Sequence, residues 1–274
     1  MPPTTHTTKT ATITSRGSNV NHNGKKQHRV VVVTGAAGAI GSATACAFLK
    51  AGFHVVGLDR EPSITSVISC EHYTGFQVDL ADEASTCEAV AESESHGRLA
   101  HVVSIAGGAL PQEPGTAGDP MAVSAELFRA SVDANLTTQF VVLRAALPLL
   151  RRNSGEDRSV ALTSSFNALT GCGMPAYSAA KAALIGMMHA LVTPLGCDGI
   201  RINVIAPGSV RTPRTERIWQ HDPNHFERLE AGTALGRLGK PDDIARTFLA
   251  VSTLMSHVTG QVLVVDGGQM VKRA

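Results

Sequence analysis

The chain has almost no net charge, no paired cysteines, no long apolar run and no internal repeat. Its 24 Lys plus Arg balance 23 Asp plus Glu to a formal +1, so there is no basic field to hold a polyanion and nucleic acid binding is not expected. The five cysteines, Cys46, Cys70, Cys87, Cys172 and Cys197, show no CxxC or other paired spacing. An odd, scattered set without a leader-like segment points to reduced thiols in a cytoplasmic setting, and no His/Cys cluster suggests a metal. The longest apolar runs are strand-sized, well below the roughly 18 residues of a membrane span, so no membrane association is expected. A length of 274 residues suits one α/β domain with a full-sized core.

The first 28 residues are rich in Thr, Ser, Asn and His, carry no acid and have few large apolar side chains. That composition predicts a disordered polar tail. Five basic residues fall in the segment ending at Arg29 (Lys9, Arg16, Lys25, Lys26, Arg29), which leaves 19 basic against 23 acidic residues, or −4, for the remainder. The tail is Ser-rich and acid-poor like a transit peptide but lacks the amphipathic apolar face of one.

From Arg29 onward, apolar strand-length runs alternate with helix-length segments. The runs are RVVVVT, FHVVGLD, YTGFQV, AHVVSIA, SVALTS, IRINVIA and QVLVVD. Helices are expected near 39–51, 82–95, 122–150, 176–195 and 241–254, the last opening on Pro241 with Asp242 and Asp243 in its first turn. Strands apolar on both faces are buried on both faces. Strand–helix alternation therefore predicts a doubly wound parallel sheet of about seven strands with helices on both sides, and any ligand beyond the carboxyl ends of the strands.

The turns at those ends carry the chemistry. TGAAGAIG, residues 34–41, follows the first strand and places Gly35, Gly38 and Gly41 where the chain bends into a helix. Glycine permits positive φ and close approach of a pyrophosphate, and the amides at the helix start face the phosphates. A tight connection without a ligand also explains glycines, but the second strand ends in Asp59, 24 residues beyond Gly35, near the spacing at which an acid holds the adenosine ribose. A carboxylate there repels the 2′-phosphate of NADP, so NAD is favoured over NADP. Arg60, next in the chain, either softens that preference or is a solvated loop residue.

Tyr177 and Lys181, in PAYSAAKAAL, stand at i and i+4 on an expected helix, with Cβ atoms about 5–6 Å apart on one face. A surface pair at this spacing is common. An adjacent ammonium, however, favours the phenolate and makes the phenol a usable proton shuttle. SVALTSS brings a hydroxyl from Ser164 or Ser165 to the same strand ends, and small side chains around the pair leave room for ligands.

These motifs together resemble the classical short-chain dehydrogenase/reductase family over nearly all of residues 29–270. TGAAGAIG matches its cofactor turn, Asp79 in QVDL its adenine-side acid, SIAGG its fourth-strand motif, Asn135 in VDANL its active-site asparagine and YSAAK its YxxxK. NVIAPGSVRT, GRLGKPDDIA and TGQVLVVDGG match its later segments. The resemblance implies a Rossmann-like fold and an NAD(P)-dependent oxidoreductase moving a hydride between the cofactor and a secondary alcohol or ketone. Tyr177 is then the acid/base, Ser165 polarises the substrate oxygen, Lys181 lowers the tyrosine pKa and holds the nicotinamide ribose, and Asn135 supports a water chain. Contacts to the cofactor fall to Gly35, Gly38, Ile40, Gly41, Asp59, Asp79, Leu80, Ala106, Gly107, Tyr177, Lys181, Pro207, Gly208, Val210 and Thr212, the last matching a contact to the nicotinamide carboxamide. A homotetramer or homodimer is also implied.

The sequence departs from the family pattern in two places. Gly38 precedes Ala39, where the family has its glycine, and Ser104 and Ile105 replace two asparagines. The family's usual spacing from Tyr177 selects Ser164, whereas aligning the strand selects Ser165; Ser165 is preferred because a loop tolerates a deletion and a strand does not tolerate a slip. Residues 107–120 and a mobile lid near 210–238 are expected to choose the substrate. The lid arginines are either receptors for an acidic substrate or solvated charges. Trp219 and Phe226 are pocket or packing residues. The alternative function is a non-catalytic dinucleotide-binding sensor or scaffold on the same fold, which has no need to assemble Asn135, Ser165, Tyr177 and Lys181.

Overall fold

A computed structural model describes residues 28–113, 119–171, 173–222 and 224–272. The polar tail expected over 1–28 lies outside the described residues except for His28, and so does Cys172.

Seven parallel strands form one sheet: β1 (Arg29–Thr34), β2 (His54–Asp59), β3 (Tyr73–Gln77), β4 (Arg98–Ser104), β5 (Arg158–Thr163), β6 (Ile200–Pro207) and β7 (Val262–Val265), in the order β3-β2-β1-β4-β5-β6-β7. The valine run of β1 explains its central place. Val30 and Val32 join the core on one side of the sheet, Val31 and Val33 the core on the other, and all four are fully buried. At about 1.5–3 kcal/mol for each such side chain, this period-two burial on both faces fixes the strand's register.

The helices divide between the two layers. The core containing Val31 and Val33 includes Ala45 and Phe48 of α1 (Ala39–Lys50) and Ile244, Phe248 and Val251 of α10 (Pro241–Thr253). The opposite core takes Ala89 and Val90 from α2 (Glu83–Ala91), Val142, Leu143 and Leu150 from α5 (Thr138–Arg152), and Leu184 and Met188 from α7 (Pro175–Cys197). Shorter helices complete the described chain: α3 (Ser93–His96), α4 (Ala125–Val132), α6 (Asn167–Thr170), α8 (Pro213–Ile218) and α9 (His225–Ala231). Strand order reverses between β1 and β4, the switch point at which such sheets bind ligands.

Two expectations change. The helix expected as continuous over 122–150 is interrupted by a turn of π-helix, Asp133–Thr137, between α4 and α5. The sequence's strand-sized apolar runs also leave unmarked that α7, 23 residues with an 18-residue stretch of mean hydropathy 1.3, is long and apolar enough to cross a membrane by length and composition. Here it packs on the sheet, burying Ala176, Ala180, Leu184, Met188 and Leu195.

Histidines make the fold acid-sensitive. Burial lowers His101 from its ordinary 6.5 to about 3; its Nδ1 meets Ser159 Oγ at 2.9 Å and its ring packs 5.3 Å from that of Phe53. Burial, assisted by His96, His72 and His28, lowers His54 to about 4. Both are neutral when folded and take up a proton when unfolded below pH 6.5. Stability is therefore complete above 6.5 and declines as the pH falls, by about 1.4 kcal/mol per pH unit for His101. Denaturant titrations between pH 6.5 and 4 will show a slope reduced by about one proton in His101→Leu; an unchanged slope would assign the acid sensitivity elsewhere.

Candidate active site

The first turn is built for close approach. Gly35 has φ +66°, and a Cβ on it would lie 3.0 Å from Ala106 N; a Cβ on Gly41 would lie 2.0 Å from Gly35 O. Gly38 is the N-cap of α1 and supplies no side-chain cap, so the first amides of the helix stay free of a hydroxyl or carboxylate. At the end of β2, Asp59 accepts from Ala37 N at 3.0 Å through Oδ2 and from Glu61 N at 3.1 Å through Oδ1. The acid is thereby fixed beside the glycine turn. Arg60 extends away, 82% exposed, with Nε 3.9 Å from Glu61.

The neighbouring turns complete the cradle. Asp79 accepts from Ala81 N at 3.0 Å and is exposed, while Leu80 is buried. Ile40 lies in the first turn of α1. Pro207 ends β6, and a Cβ on Gly208 would meet Asp266 Cβ at 2.6 Å. Val210 is buried and pairs with Gly239 at the base of the segment that carries α8 and α9. The Thr212 hydroxyl caps α8, accepting from Thr215 N at 3.1 Å. These residues fit a dinucleotide: a backbone groove that any side chain would fill, unspent helix amides and a positioned acid.

Thr34 holds the segment after β4. Its Oγ1 accepts from Ile105 N at 2.9 Å and Ala106 N at 3.0 Å. Beyond them, Gly107 and Gly108 have φ of +131° and +137°, and a Cβ on Gly107 would stand 2.7 Å from Asn135 Oδ1. Asn135 is fully buried in the π-turn, where Oδ1 accepts from Gly108 N at 2.7 Å and Nδ2 donates to Gly108 O at 3.2 Å and Ser131 O at 2.9 Å.

The structure separates the two serines. Ser164 donates to Lys181 O at 2.7 Å and is committed to holding α7. The Ser165 hydroxyl accepts from Asn167 N at 3.2 Å and stands beside the Tyr177 phenol, whose pKa it lowers. Lys181 is 2% exposed, donates from Nζ to Thr163 O at 2.8 Å and lies 5.8 Å from the centre of the Tyr177 ring. Asn135, Ser165, Tyr177 and Lys181 thus meet around the ends of β4 and β5.

Several groups act on the Tyr177 phenol. Burial pushes the Tyr177 phenol up; the Ser165 hydrogen bond and then the charge of Arg214 pull it down, and Glu113 pushes it up. Burial, with Arg214 second, brings Lys181 from 10.5 down to about 7, so near neutrality it is charged only part of the time. Arg214 is a cation that favours the phenolate.

Glu113 and Arg214 were not resolved as site residues by sequence spacing. Glu113 is buried in the loop after β4; it accepts from Tyr177 N at 2.7 Å and Ser131 Oγ at 3.3 Å, so its carboxylate seats the positive end of α7. Arg214, from α8, reaches Gly107 O and Ala109 O. Trp219 stacks on His225 at 3.8 Å and Phe226 lies under Arg211 at 4.9 Å, which places both aromatics in packing within the expected lid.

The family model described as enoyl-(acyl carrier protein) reductase matches residues 35–270. The chain is 33% identical over 257 residues to 2,3-dihydro-2,3-dihydroxybenzoate dehydrogenase of Escherichia coli (strain K12), spanning 87% of this chain and 95% of that protein. It is 31% identical over 248 residues to 2,5-dichloro-2,5-cyclohexadiene-1,4-diol dehydrogenase of Sphingobium indicum (strain DSM 16412 / CCM 7286 / MTCC 6364 / B90A), spanning 88% and 96%. Among solved structures, an oxidoreductase of the short chain dehydrogenase/reductase family from Burkholderia thailandensis superposes with a TM-score of 0.81 at 34% identity, covering 90% of this chain and 94% of that one.

With two tyrosines in the chain, phenol ionisation is directly measurable by carbon NMR of labelled tyrosine. Burial holds Tyr73 up at about 12. Ser165→Ala will move the Tyr177 transition to higher pH, because the lost hydrogen bond favoured the phenolate. Ser164→Ala will leave that transition in place and cost about 0.5–1.5 kcal/mol of stability, the loss of one buried hydrogen bond to a carbonyl that keeps its helix partner. The reverse pattern would exchange the two roles.

Proposed function

The chain belongs to the short-chain dehydrogenase/reductase family, and from that premise we propose that it is an NAD-dependent dehydrogenase or ketoreductase acting on a secondary alcohol or the corresponding ketone. The observation that carries the reading is the gathering of Asn135, Ser165, Tyr177 and Lys181 at the strand ends, beside the glycine cradle.

Ser165 and Tyr177 together form a site for one substrate oxygen. In reduction the phenol gives its proton to the forming alkoxide; in oxidation the phenolate takes the proton from the alcohol. The nicotinamide, when bound, supplies or accepts the hydride. Lys181, anchored on Thr163 O, is placed to return a proton toward Tyr177 and to hold the ribose. Asn135 keeps the Gly107–Gly108 segment clear of that path through its paired bonds to Gly108. The raised phenol favours the protonated form near neutrality, so reduction is the easier direction there and oxidation gains with rising pH.

NAD is the preferred cofactor in this reading because the Asp59 carboxylate is locked by two backbone amides where a 2′-phosphate would lie, while Arg60 turns to Glu61. Two relatives are named for ring diols, which supports a cyclic secondary alcohol. A homotetramer or homodimer belongs to the proposal, supported by the apolar groove that Leu136, Thr137, Phe140, Ala183 and Met187 line on α5, α7 and the turn before α5. So does a reducing, cytoplasmic setting: Cys46, Cys70, Cys87 and Cys197 are free thiols among the described residues.

Tyr177→Phe is expected to lower kcat by at least about 10²-fold on any alcohol or ketone the wild type turns over, with NADH binding, followed by its fluorescence, unchanged. Turnover comparable to wild type in that variant would remove Tyr177 from the mechanism.

A further inference from the structure

The segment from Val210 to Leu238 is rich in arginine, and most of that charge is already neutralised. Arg211 meets Glu216 at 3.0 Å, Arg237 meets Asp243 at 2.8 Å, and Arg228 is paired with Asp222. Arg214 and Arg217 have no carboxylate within ion-pair distance among the described residues, and of these it is Arg214 that reaches the strand ends. Its side chain instead leaves α8 and crosses to the end of β4, where Nη1 lies 3.5 Å from Gly107 O and Nη2 donates to Ala109 O. Gly108 makes room for this crossing, since a Cβ there would stand 2.5 Å from Nη1.

The position is next to the reacting groups. Gly107 and Gly108 bond or abut Asn135 and Lys181, and the Arg214 charge is felt at both Tyr177 and Lys181. The nearby carboxylate cannot serve as its partner in the cleft, because Glu113 is committed to Tyr177 N and Ser131 Oγ. Arg214 therefore brings positive charge without a carboxylate partner to the reacting groups. Of its five N–H donors, two point at backbone carbonyls and the others remain available in a fixed planar fork, the geometry that accepts a carboxylate through two parallel bonds.

We propose that Arg214 is the substrate's anion receptor, and that the alcohol or ketone taken by this site carries a carboxylate a few atoms from the reacting carbon. The proposal rests on the dehydrogenase reading for its reacting carbon and deepens it by naming the substrate class. Lys at this position keeps the charge but not the fork, so it is only a partial replacement.

The first arm of the test is binding to the full chain, measured by calorimetry with benzoate and with benzamide, an uncharged probe of the same shape. Wild type should bind benzoate at least about tenfold more tightly, as a charge-assisted bond requires. Arg214→Gln should bind the two alike, and Arg214→Lys should keep part of the difference. The second arm is NADH-dependent reduction of a cyclohexanone bearing a carboxylate and of its methyl ester. Wild type should prefer the acid, and Arg214→Gln should lose the preference through KM rather than kcat. Equal affinity of wild type for the two binding probes, or a benzoate preference that survives in Arg214→Gln, would overturn the proposal. An Arg214-dependent benzoate preference without turnover of either ketone would count against the dehydrogenase reading and for the anion receptor.

Discussion

The carbonyl of Thr163 is the point on which the site depends. It ends β5 and receives two buried donors, Lys181 Nζ at 2.8 Å and Gln139 Nε2 at 3.0 Å, while Gln139 Oε1 accepts Thr163 N at 3.2 Å. One peptide group thus joins β5 to α5 and α7. The same glutamine also donates to Asn135 O at 3.3 Å, which stabilises the π-turn that points Asn135 at Gly108. A buried ammonium costs several kcal/mol unless it is well partnered. This carbonyl is its partner, and the cost appears as the fall of Lys181 to about 7.

The charges around Tyr177 follow from that arrangement. The phenolate is favoured by Ser165 and Arg214 and opposed by Glu113. Glu113 opposes the phenolate while its carboxylate satisfies the Tyr177 amide at the start of α7. The acid that seats the helix and the cation that crosses from α8 come from different loops, so loop position and phenol chemistry are coupled. Movement of α8 away from Gly107 and Ala109 would remove the cation and weaken the phenolate.

Much of this was legible in the sequence because the signals are local. Valine runs buried on both faces, the glycines of TGAAGAIG, the acid ending β2 and the i, i+4 spacing of Tyr177 and Lys181 each depend on neighbours a few residues away. Choosing Ser165 over Ser164 rested on strand register, and the structure gives the two hydroxyls different partners. What stayed hidden depends on distant partners. The π-turn at Asn135 requires Gln139 to reach Thr163, 24 residues on. Glu113 meets a backbone amide 64 residues away, and Arg214 reaches back 105 residues to Ala109. Nor does spacing reveal that Thr34 holds the segment after β4, since its bonds to Ile105 and Ala106 span 71 and 72 residues.

The central claim is that a substrate carbinol gives up its hydrogen directly to NAD at the ends of β1, β4 and β5. The most direct test is to incubate the full chain with NAD and a mixture of ring alcohols deuterated at the carbinol carbon, then examine the reduced cofactor by mass spectrometry. Deuterium on the nicotinamide is the predicted result. NAD that binds tightly yet gains no deuterium from any alcohol, with or without a carboxylate, would contradict the account and favour a chain that binds the dinucleotide without turning it over.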